Sequence, residues 1–216
     1  MITPPPIVTY LASLRRSPHR QLDVIASESS GIPIVDPQTG ALLHALVRTK
    51  PSARVLEIGT AVGYSGLWMA TALPDDGMLI TLERDAARAE VARRHFEAAG
   101  VSQKVTVMIG DATRYLHKLA GPFDVVFQDG DKALYSPLLD RLVSLLAPGG
   151  MLVTDNVLWS GEVIPGYIDP PKRSPEDAKA IAAYNERLGA DDRVFTVILP
   201  VGDGVAISVK QDRTPA

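Results

Sequence analysis

Short apolar runs of strand length alternate with longer amphipathic stretches along most of the 216-residue chain. The runs predict five strands, at Arg54–Ile58, Met78–Leu82, Val105–Ile109, Phe123–Gln128 and Met151–Thr154. Between them, the apolar residues have helical spacing, which predicts helices at about 65–73, 85–99, 112–119 and 133–146. Strands that alternate with helices in this way are typical of an α/β fold, in which a parallel sheet carries helices on both faces.

The last part of the chain departs from this alternation. A helix predicted from Pro175 to Leu188 is followed by two apolar runs, Val194–Leu199 and Val205–Lys210. Only a Pro-Val-Gly-Asp-Gly turn separates the two runs, and a link this short joins antiparallel strands. The sheet is therefore predicted to be mostly parallel and to end with one reversed strand.

The N-terminal part of the chain has no strand pattern. Residues 1–10 are rich in proline and are predicted to be extended, since proline fixes the backbone and removes a donor. A polar helix over 10–28, broken near Pro18, and a helix over 38–49 are predicted to follow. We expect a single domain over 1–216, with an N-terminal segment at 1–37 and a core at 38–210.

Composition and charge narrow the function classes. With 46% hydrophobic residues, the chain can bury one sizeable core. A net charge of −3 provides no broad basic surface for nucleic acid, and the apolar runs are too short to span a membrane. The chain has no cysteine, which fits a reducing compartment, and its N-terminus lacks the regions of a signal peptide. We therefore expect a cytoplasmic protein that binds neither nucleic acid nor membrane.

Two of the predicted strands end abruptly in acidic residues. The run VVFQDGDK contains Asp129, Asp131 and Lys132, and the run MLVTDN ends with Asp155 and Asn156. Parallel strands deliver such residues to one edge of the sheet, where open α/β sheets bind their ligands. Carboxylate and amide oxygens suit a hard cation such as Mg²⁺. The alternative to a metal site is a purely structural role, in which Asp131 caps a helix, Asn156 holds a turn and Lys132 is solvated. Capping explains one acid well but three poorly.

A second group of residues predicts a nucleotide-type ligand. The first strand runs into a turn with Gly59 and Gly63, and acids stand at Glu57, Glu83 and Asp111 near the ends of three strands. The Gly-x-x-x-Gly spacing departs from the dinucleotide fingerprint, which disfavours a nicotinamide or flavin cofactor. Alone, each residue could be a turn, a strand end or a helix cap. Together the three acids and the turn indicate one adenosyl site.

The chain resembles the cation-dependent O-methyltransferases, which include the caffeoyl-CoA and catechol O-methyltransferases, and especially their small bacterial members. The resemblance runs from about Ile34 to Lys210 and is carried by six motifs in order: VLEIGTAVGYS, LITLE, IGDA, VVFQDGDKALY, LAPGGMLVTDNVLWSG and LPVGDGVAIS. It implies a Rossmann-like class I methyltransferase fold with a seven-stranded sheet of order 3-2-1-4-5-7-6. It also implies S-adenosylmethionine (SAM) and Mg²⁺, or another divalent cation such as Mn²⁺ or Ca²⁺, as cofactors.

The resemblance also implies a role for each matching residue. Asp129, Asp155 and Asn156 would hold the cation, Asp131 would face the cofactor, and Asp129 and Lys132 would be catalytic, with Lys132 helping to deprotonate the acceptor hydroxyl. Acceptor contacts would come from Trp159 and Ser160. The remaining positions that would contact SAM are Val35, Glu57, Gly59, Thr60, Ser65, Glu83 and Ala112.

The sequence-based hypothesis is therefore a methyltransferase that acts on a hydroxyl of a catechol-like small aromatic. A phenol is a poor nucleophile at neutral pH, and a divalent cation stabilises the phenolate as it forms. The alternatives are a methyltransferase for RNA or another large acceptor, and a nucleotide-binding domain without catalysis. Residues 1–37 are expected to form part of the acceptor lid or a contact in a homodimer.

Overall fold

Residues 3–51, 53–168 and 170–212 are described by a computed structural model of the chain. Within these ranges, a central sheet is flanked by helices. The helices are α1 (Pro5–Leu14), α2 (Gln21–Glu28), α3 (Pro37–Arg48), α4 (Tyr64–Ala70), α5 (Ala86–Ala98), α6 (Ala112–Leu116), α7 (Tyr135–Leu145) and α8 (Pro175–Gly189). The strands are β1 (Arg54–Ile58), β2 (Met78–Glu83), β3 (Val105–Ile109), β4 (Phe123–Gln128), β5 (Leu146–Thr154), β6 (Val194–Leu199) and β7 (Val205–Lys210).

The sheet has seven strands in the order β3-β2-β1-β4-β5-β7-β6. The first five strands pair in parallel, and β7 runs antiparallel to both β5 and β6. This arrangement confirms the predicted class I methyltransferase topology with one reversed strand. Because β1 lies at the centre, where the strand order reverses, the carboxyl ends of β1 and β4 open a crevice of the kind that binds ligands in such sheets.

Two apolar layers cover the two faces of the sheet. Alternate residues of the central strands point to opposite faces, so Val55 and Leu56 are both fully buried in different layers. Helices α2 to α5 pack on one face, and α7 and α8 pack on the other. The two-sided burial explains why the strands are nearly continuous apolar runs. Polar residues that bind ligands are therefore expected at the ends of the strands.

The first helix is a correction to the sequence-based prediction. Within residues 3–10, which were expected to be extended, Pro5 begins α1, because proline is accommodated in the first turn of a helix, where backbone N–H groups have no intrahelical acceptor. No residue of α1 is buried, and Tyr10 and Leu14 are well exposed. No helix in the described part of the chain has the length and apolarity to cross a membrane.

The fifth strand also begins earlier than predicted. The sequence pattern placed its start at Met151, after Pro148-Gly149-Gly150, whereas β5 begins at Leu146. Residues 146–150 pair irregularly with the start of β4, with a shift in register between Phe123 and Val125. The regular part of the strand, from Met151 to Thr154, pairs with β4 and β7 as a central strand and ends at Asp155.

Candidate active site

One cavity of about 680 Å³ lies at the carboxyl ends of the central strands. It brings together the glycine turn after β1, the end of β2 and the acidic residues after β4 and β5. Asp129 and Asp155 are held there by the sheet, since the N–H of Asp129 donates to Ile58 O (2.9 Å) and that of Asp155 to Gln128 O (3.1 Å). The two groups of residues singled out in the sequence therefore share one site.

The glycine turn approaches the acidic residues after β4 very closely. Gly59 has φ +99°, a left-handed conformation that residues with a side chain rarely adopt. A Cβ at this position would lie 2.4 Å from the carbonyl oxygen of Asp129. Any other residue at 59 would therefore push the turn and Asp129 apart, which explains why glycine is needed at this point.

Glu83 ends β2 and fixes the turn from the other side. Its Oε2 accepts the N–H of Ala61 at 2.8 Å, and its Oε1 accepts that of Asp85 at 2.9 Å. Ala61 has φ +46°, so the hydrogen bond holds a residue in an unfavourable conformation. Glu83 lines the cavity although it is almost completely buried, and its carboxylate lies where folds of this type bind ribose hydroxyls.

Glu57 is fully buried and does not line the cavity. Its carboxyl accepts hydrogen bonds from Ser65 Oγ (2.5 Å) and Thr81 Oγ1 (2.6 Å). Burial raises the pKa of Glu57 to about 7, against the lowering effect of the two hydroxyls. Ser65 does line the cavity, and its hydrogen bond to Glu57 fixes the orientation of its side chain there.

The other residues predicted to contact SAM are also placed at the cavity. Val35, Gly59, Thr60, Ala112 and Asp131 all line it. Asp131 additionally accepts the N–H of Ala133 at 3.1 Å and thereby caps a short 3₁₀ helix. Helix capping and a place at the cavity, which the sequence presented as alternatives for Asp131, thus occur together.

Asp129, Asp155 and Asn156 meet beside Lys132. Lys132 Nζ donates to Asp129 Oδ1 (3.1 Å), Asn156 Oδ1 (2.5 Å) and the hydroxyl of Tyr135 (2.8 Å). Asp155 is buried and accepts the N–H of Asn156 at 2.8 Å. Burial, with the Asp129 carboxylate nearby, raises the pKa of Asp155 to about 8, and burial also raises the pKa of Asp129 despite Lys132.

These residues fit a divalent cation by their chemistry. Two carboxylates and an amide oxygen line the cavity beside a single ammonium, and burial together with the Asp129 carboxylate raises the pKa of Asp155. Oxygen ligands of this kind suit Mg²⁺, which retains water and substrate oxygens in its remaining positions. No group of three or more His, Cys, Asp or Glu suitable for a metal occurs among the described residues, and the set beside Lys132 consists of two carboxylates and one amide.

The far side of the cavity contains residues that the sequence did not identify. Trp159 lines the cavity as its predicted role requires, whereas Ser160 does not. Arg173 lies over the Trp159 ring at 4.5 Å from the centroid and forms an ion pair with Asp203, and both charged residues line the cavity. Asp203 belongs to the Pro-Val-Gly-Asp-Gly turn, for which the sequence predicted only a hairpin, and Arg173 lies outside every predicted helix and strand.

Tyr135 is a further residue that the sequence did not identify. Its hydroxyl donates to the carbonyl oxygen of Asp155 at 3.0 Å and accepts from Lys132, so it links the residues that follow β4 and β5. Burial raises the pKa of Tyr135 well above its ordinary value, which keeps the hydroxyl protonated. The tyrosine stands three residues after Lys132 at the start of α7, where a helical pattern indicates core packing and gives no sign of such a contact.

Known proteins resemble the chain in both sequence and structure. A family model described as O-methyltransferase matches residues 10–211. Catechol O-methyltransferase of Niastella koreensis is 37% identical over 185 residues, 81% of this chain and 81% of that protein. Caffeoyl-CoA O-methyltransferase of Stellaria longipes is 33% identical over 175 residues, 78% of this chain and 73% of that protein. The solved O-methyltransferase TomG from Streptomyces achromogenes, in complex with SAM, is 30% identical with a TM-score of 0.82, over 95% of this chain and 96% of its own. As its motifs predicted, the chain belongs to the O-methyltransferase family.

Proposed function

We propose that this protein is a cytoplasmic, SAM-dependent and divalent-cation-dependent O-methyltransferase that acts on a hydroxyl of a catechol-like small aromatic. The observation that carries the proposal is the convergence of Asp129, Asp155, Asn156 and Lys132 in the same cavity as the glycine turn. A methyl donor at the turn and an acceptor oxygen at Lys132 would lie side by side there. The family match supports the reaction class, and the donor set supports the cation.

SAM is proposed to occupy the side of the cavity formed by β1 and β2. Glu83 would accept hydrogen bonds from the ribose hydroxyls, and the backbone at Gly59 and Thr60 would pass close to the donor. Val35 and Ala112 would contact the adenosyl group, while Asp131 would face the donor across the cavity. The similar structure of TomG was solved in complex with SAM, which supports SAM as the methyl donor.

Lys132 is proposed to accept the proton of the acceptor hydroxyl as a neutral amine. The amine would release its own proton first, because a divalent cation held by Asp129, Asp155 and Asn156 would supply positive charge there in place of the ammonium, and it would then take up the proton of the acceptor. A free phenol has a pKa of about 10 and is mostly protonated at neutral pH. Lys132 Nζ lies between Asp129 and Asn156, so an acceptor oxygen near these two residues would be within its reach. The chemistry that a divalent cation supplies when bound by Asp129, Asp155 and Asn156 is stabilisation of negative charge on that oxygen.

The protein's other contribution is alignment of the two substrates. Methyl transfer requires the acceptor oxygen, the methyl carbon and the sulfur to lie nearly in line. The backbone at Gly59 passes close to that of Asp129, and the N–H of Asp129 donates to Ile58 O, so the donor side and the acceptor side of the cavity are held at a fixed separation. Positioning of this kind can lower a barrier by roughly 7–11 kcal/mol in favourable cases.

A small aromatic fits the cavity better than a nucleic acid. Seven acidic and four basic residues line the cavity, and this excess of acids disfavours a chain of phosphates. Trp159 provides an aromatic wall, against which a flat ring can pack. The net charge of −3 offers no compensating attraction at long range.

The N-terminal segment is proposed to contribute to the cavity wall and to a homodimer. Residues 33–36 line the cavity, which places the end of this segment at the ligands. Exposed apolar side chains lie on α1, as at Tyr10, and on the edge strand β6, as at Phe195. Thr3 Oγ1 donates to Pro200 O just after β6, so the two surfaces adjoin and could be buried together by a second copy.

The decisive experiment combines SAM binding and methyl transfer with a test catechol, in Mg²⁺ and after EDTA. We expect transfer that EDTA abolishes and Mg²⁺ restores. Asp155→Ala should bind SAM but lose transfer by at least ~100-fold, since the remaining oxygens hold a cation poorly. Asp191→Asn changes an almost equally buried carboxylate away from the cavity and is the matched control. Transfer that is indifferent to EDTA and to Asp155→Ala contradicts the proposal, as does SAM binding without transfer to any catechol or transfer to RNA alone.

A further inference from the structure

The segment that follows β5 has an unusual backbone where it reaches the cavity. Asn156, Trp159 and Ser160 have φ values of +61°, +47° and +55°. Residues with side chains seldom adopt this left-handed conformation, which costs free energy and persists only where surrounding contacts impose it. Some other part of the molecule must therefore hold the segment in place.

Asp203, in the turn between β6 and β7, makes the contacts that hold it. One carboxylate oxygen accepts hydrogen bonds from the N–H of Ser160 and from its Oγ, the latter at 2.9 Å. The other carboxylate oxygen accepts from the guanidinium of Arg173. The backbone of the turn adds two bonds, because Leu158 N–H donates to Asp203 O (3.1 Å) and Val157 N–H to Gly204 O (3.0 Å).

These contacts determine where the aromatic wall stands. Two cations lie over the Trp159 ring, with Arg173 at 4.5 Å and Lys132 Nζ at 5.8 Å from its centroid. Ser160 follows Trp159 directly, and Arg173 covers the ring from the opposite end of the loop. A single carboxylate thus fixes both the residue next to the ring and the cation stacked on it. The side chain of Asp203 is only 15% exposed, so water replaces these bonds poorly.

We infer that Asp203 is a positioning residue that fixes the Trp159–Arg173 wall for binding of the methyl acceptor. It acts through Ser160 and Arg173 and takes no part in proton or methyl transfer. This inference rests on the proposed function, since it assigns the wall to the acceptor. The role predicts that loss of the carboxylate loosens the acceptor side of the cavity and leaves the SAM side intact.

Asp203→Asn tests the role through the acceptor KM, kcat and SAM affinity. We expect the KM for a test catechol to rise by at least ~10-fold, since small displacements of positioning groups have large effects. SAM affinity should stay within about twofold, because the glycine turn and Glu83 do not touch Asp203. Ser160→Ala, which removes one of the three side-chain bonds, should give a smaller rise in KM. Asp191→Asn breaks a comparable carboxylate–arginine pair with Arg193 and should leave the acceptor KM unchanged.

Acrylamide quenching of tryptophan fluorescence tests the wall without catalysis. The chain has two tryptophans, and Trp68 is 2% exposed, so quenching reports mainly on Trp159. Asp203→Asn should increase quenching, and Asp191→Asn should not. An unchanged acceptor KM, or SAM affinity that falls as much as acceptor affinity, overturns the inference while catechol methylation itself stands. If the wild type methylates no catechol, the proposed function fails. Unchanged quenching in Asp203→Asn would then separately reject the role of Asp203 in fixing the Trp159–Arg173 wall.

Discussion

The two sides of the cavity are built in different ways. On the side proposed for the cofactor, a backbone turn and the end of a strand face the cavity, and Glu83 holds the turn through the N–H of Ala61. On the side proposed for the acceptor, Trp159 and Arg173 belong to an irregular segment that Asp203 holds from a distant hairpin. The sheet therefore fixes the first side, whereas long-range side-chain contacts fix the second.

This difference indicates how the two functions can vary independently. A turn tied to a central sheet allows little change of shape, which suits a donor that never varies. A wall held by one carboxylate can change with a few substitutions in loops, which suits acceptor specificity. The comparison predicts that substitutions on one side alter the handling of one substrate and spare the other.

The largest effect is expected at the boundary between the two sides, at Lys132. Lys132→Met should lower kcat by ~100-fold or more, the usual range for loss of a general base, with SAM affinity unchanged. Lys132→Arg is the informative partner variant, because it keeps the positive charge beside Asp129 but cannot give up its proton. Steady-state kinetics and calorimetric SAM binding measure both. If Lys132→Arg restores turnover, Lys132 supplies charge alone and the proposed base is wrong.

The sequence predicts the sheet and the acidic site well because both depend on local patterns. The predicted bounds of β1, β3, β4, β6 and β7 agree with the structure, since each strand is a mostly apolar run that is followed by a glycine, a proline or a polar residue. The rule that parallel strands end at one edge placed Asp129 and Asp155 together. Asp203 and Arg173 lie 30 residues apart with no shared pattern, so only the folded chain shows their contact.

The next effect concerns stability on the cofactor side, at Glu57. Its pKa is raised from 4.5 to about 7, so the folded state keeps a proton that the unfolded chain loses. Below about pH 4.5 both states are protonated and the folded state bears no penalty. Between pH 4.5 and 7 the unfolded chain ionises first, and the folded state loses on the order of 3 kcal/mol, a loss that is complete above pH 7.

Glu57→Gln should remove this part of the pH dependence. The amide oxygen can still accept from Ser65 or Thr81, so the variant should unfold at higher urea concentration than wild type at pH 8 and at a similar concentration at pH 4.5. Urea unfolding at both pH values measures the difference. If the urea midpoints of the two proteins change with pH in the same way, the Glu57 carboxyl is not held protonated in the folded state. The buried carboxylate would then need a further partner to balance its charge.

The smallest of the three effects sharpens the comparison most directly. Glu83→Ala removes the acceptor for the N–H of Ala61, a residue with a left-handed backbone conformation. We expect ~10-fold weaker SAM binding, the usual cost of losing a charge-assisted hydrogen bond, and an unchanged catechol KM at saturating SAM. Glu90→Ala, an exposed carboxylate on α5, is the matched control and should change neither. This pattern is the mirror image of that expected for Asp203→Asn.

The opposite outcome would be that Glu83→Ala raises the catechol KM as much as it weakens SAM binding. The two sides of the cavity would then be coupled through the turn, because the close approach of Gly59 to Asp129 would transmit the disturbance across the cavity.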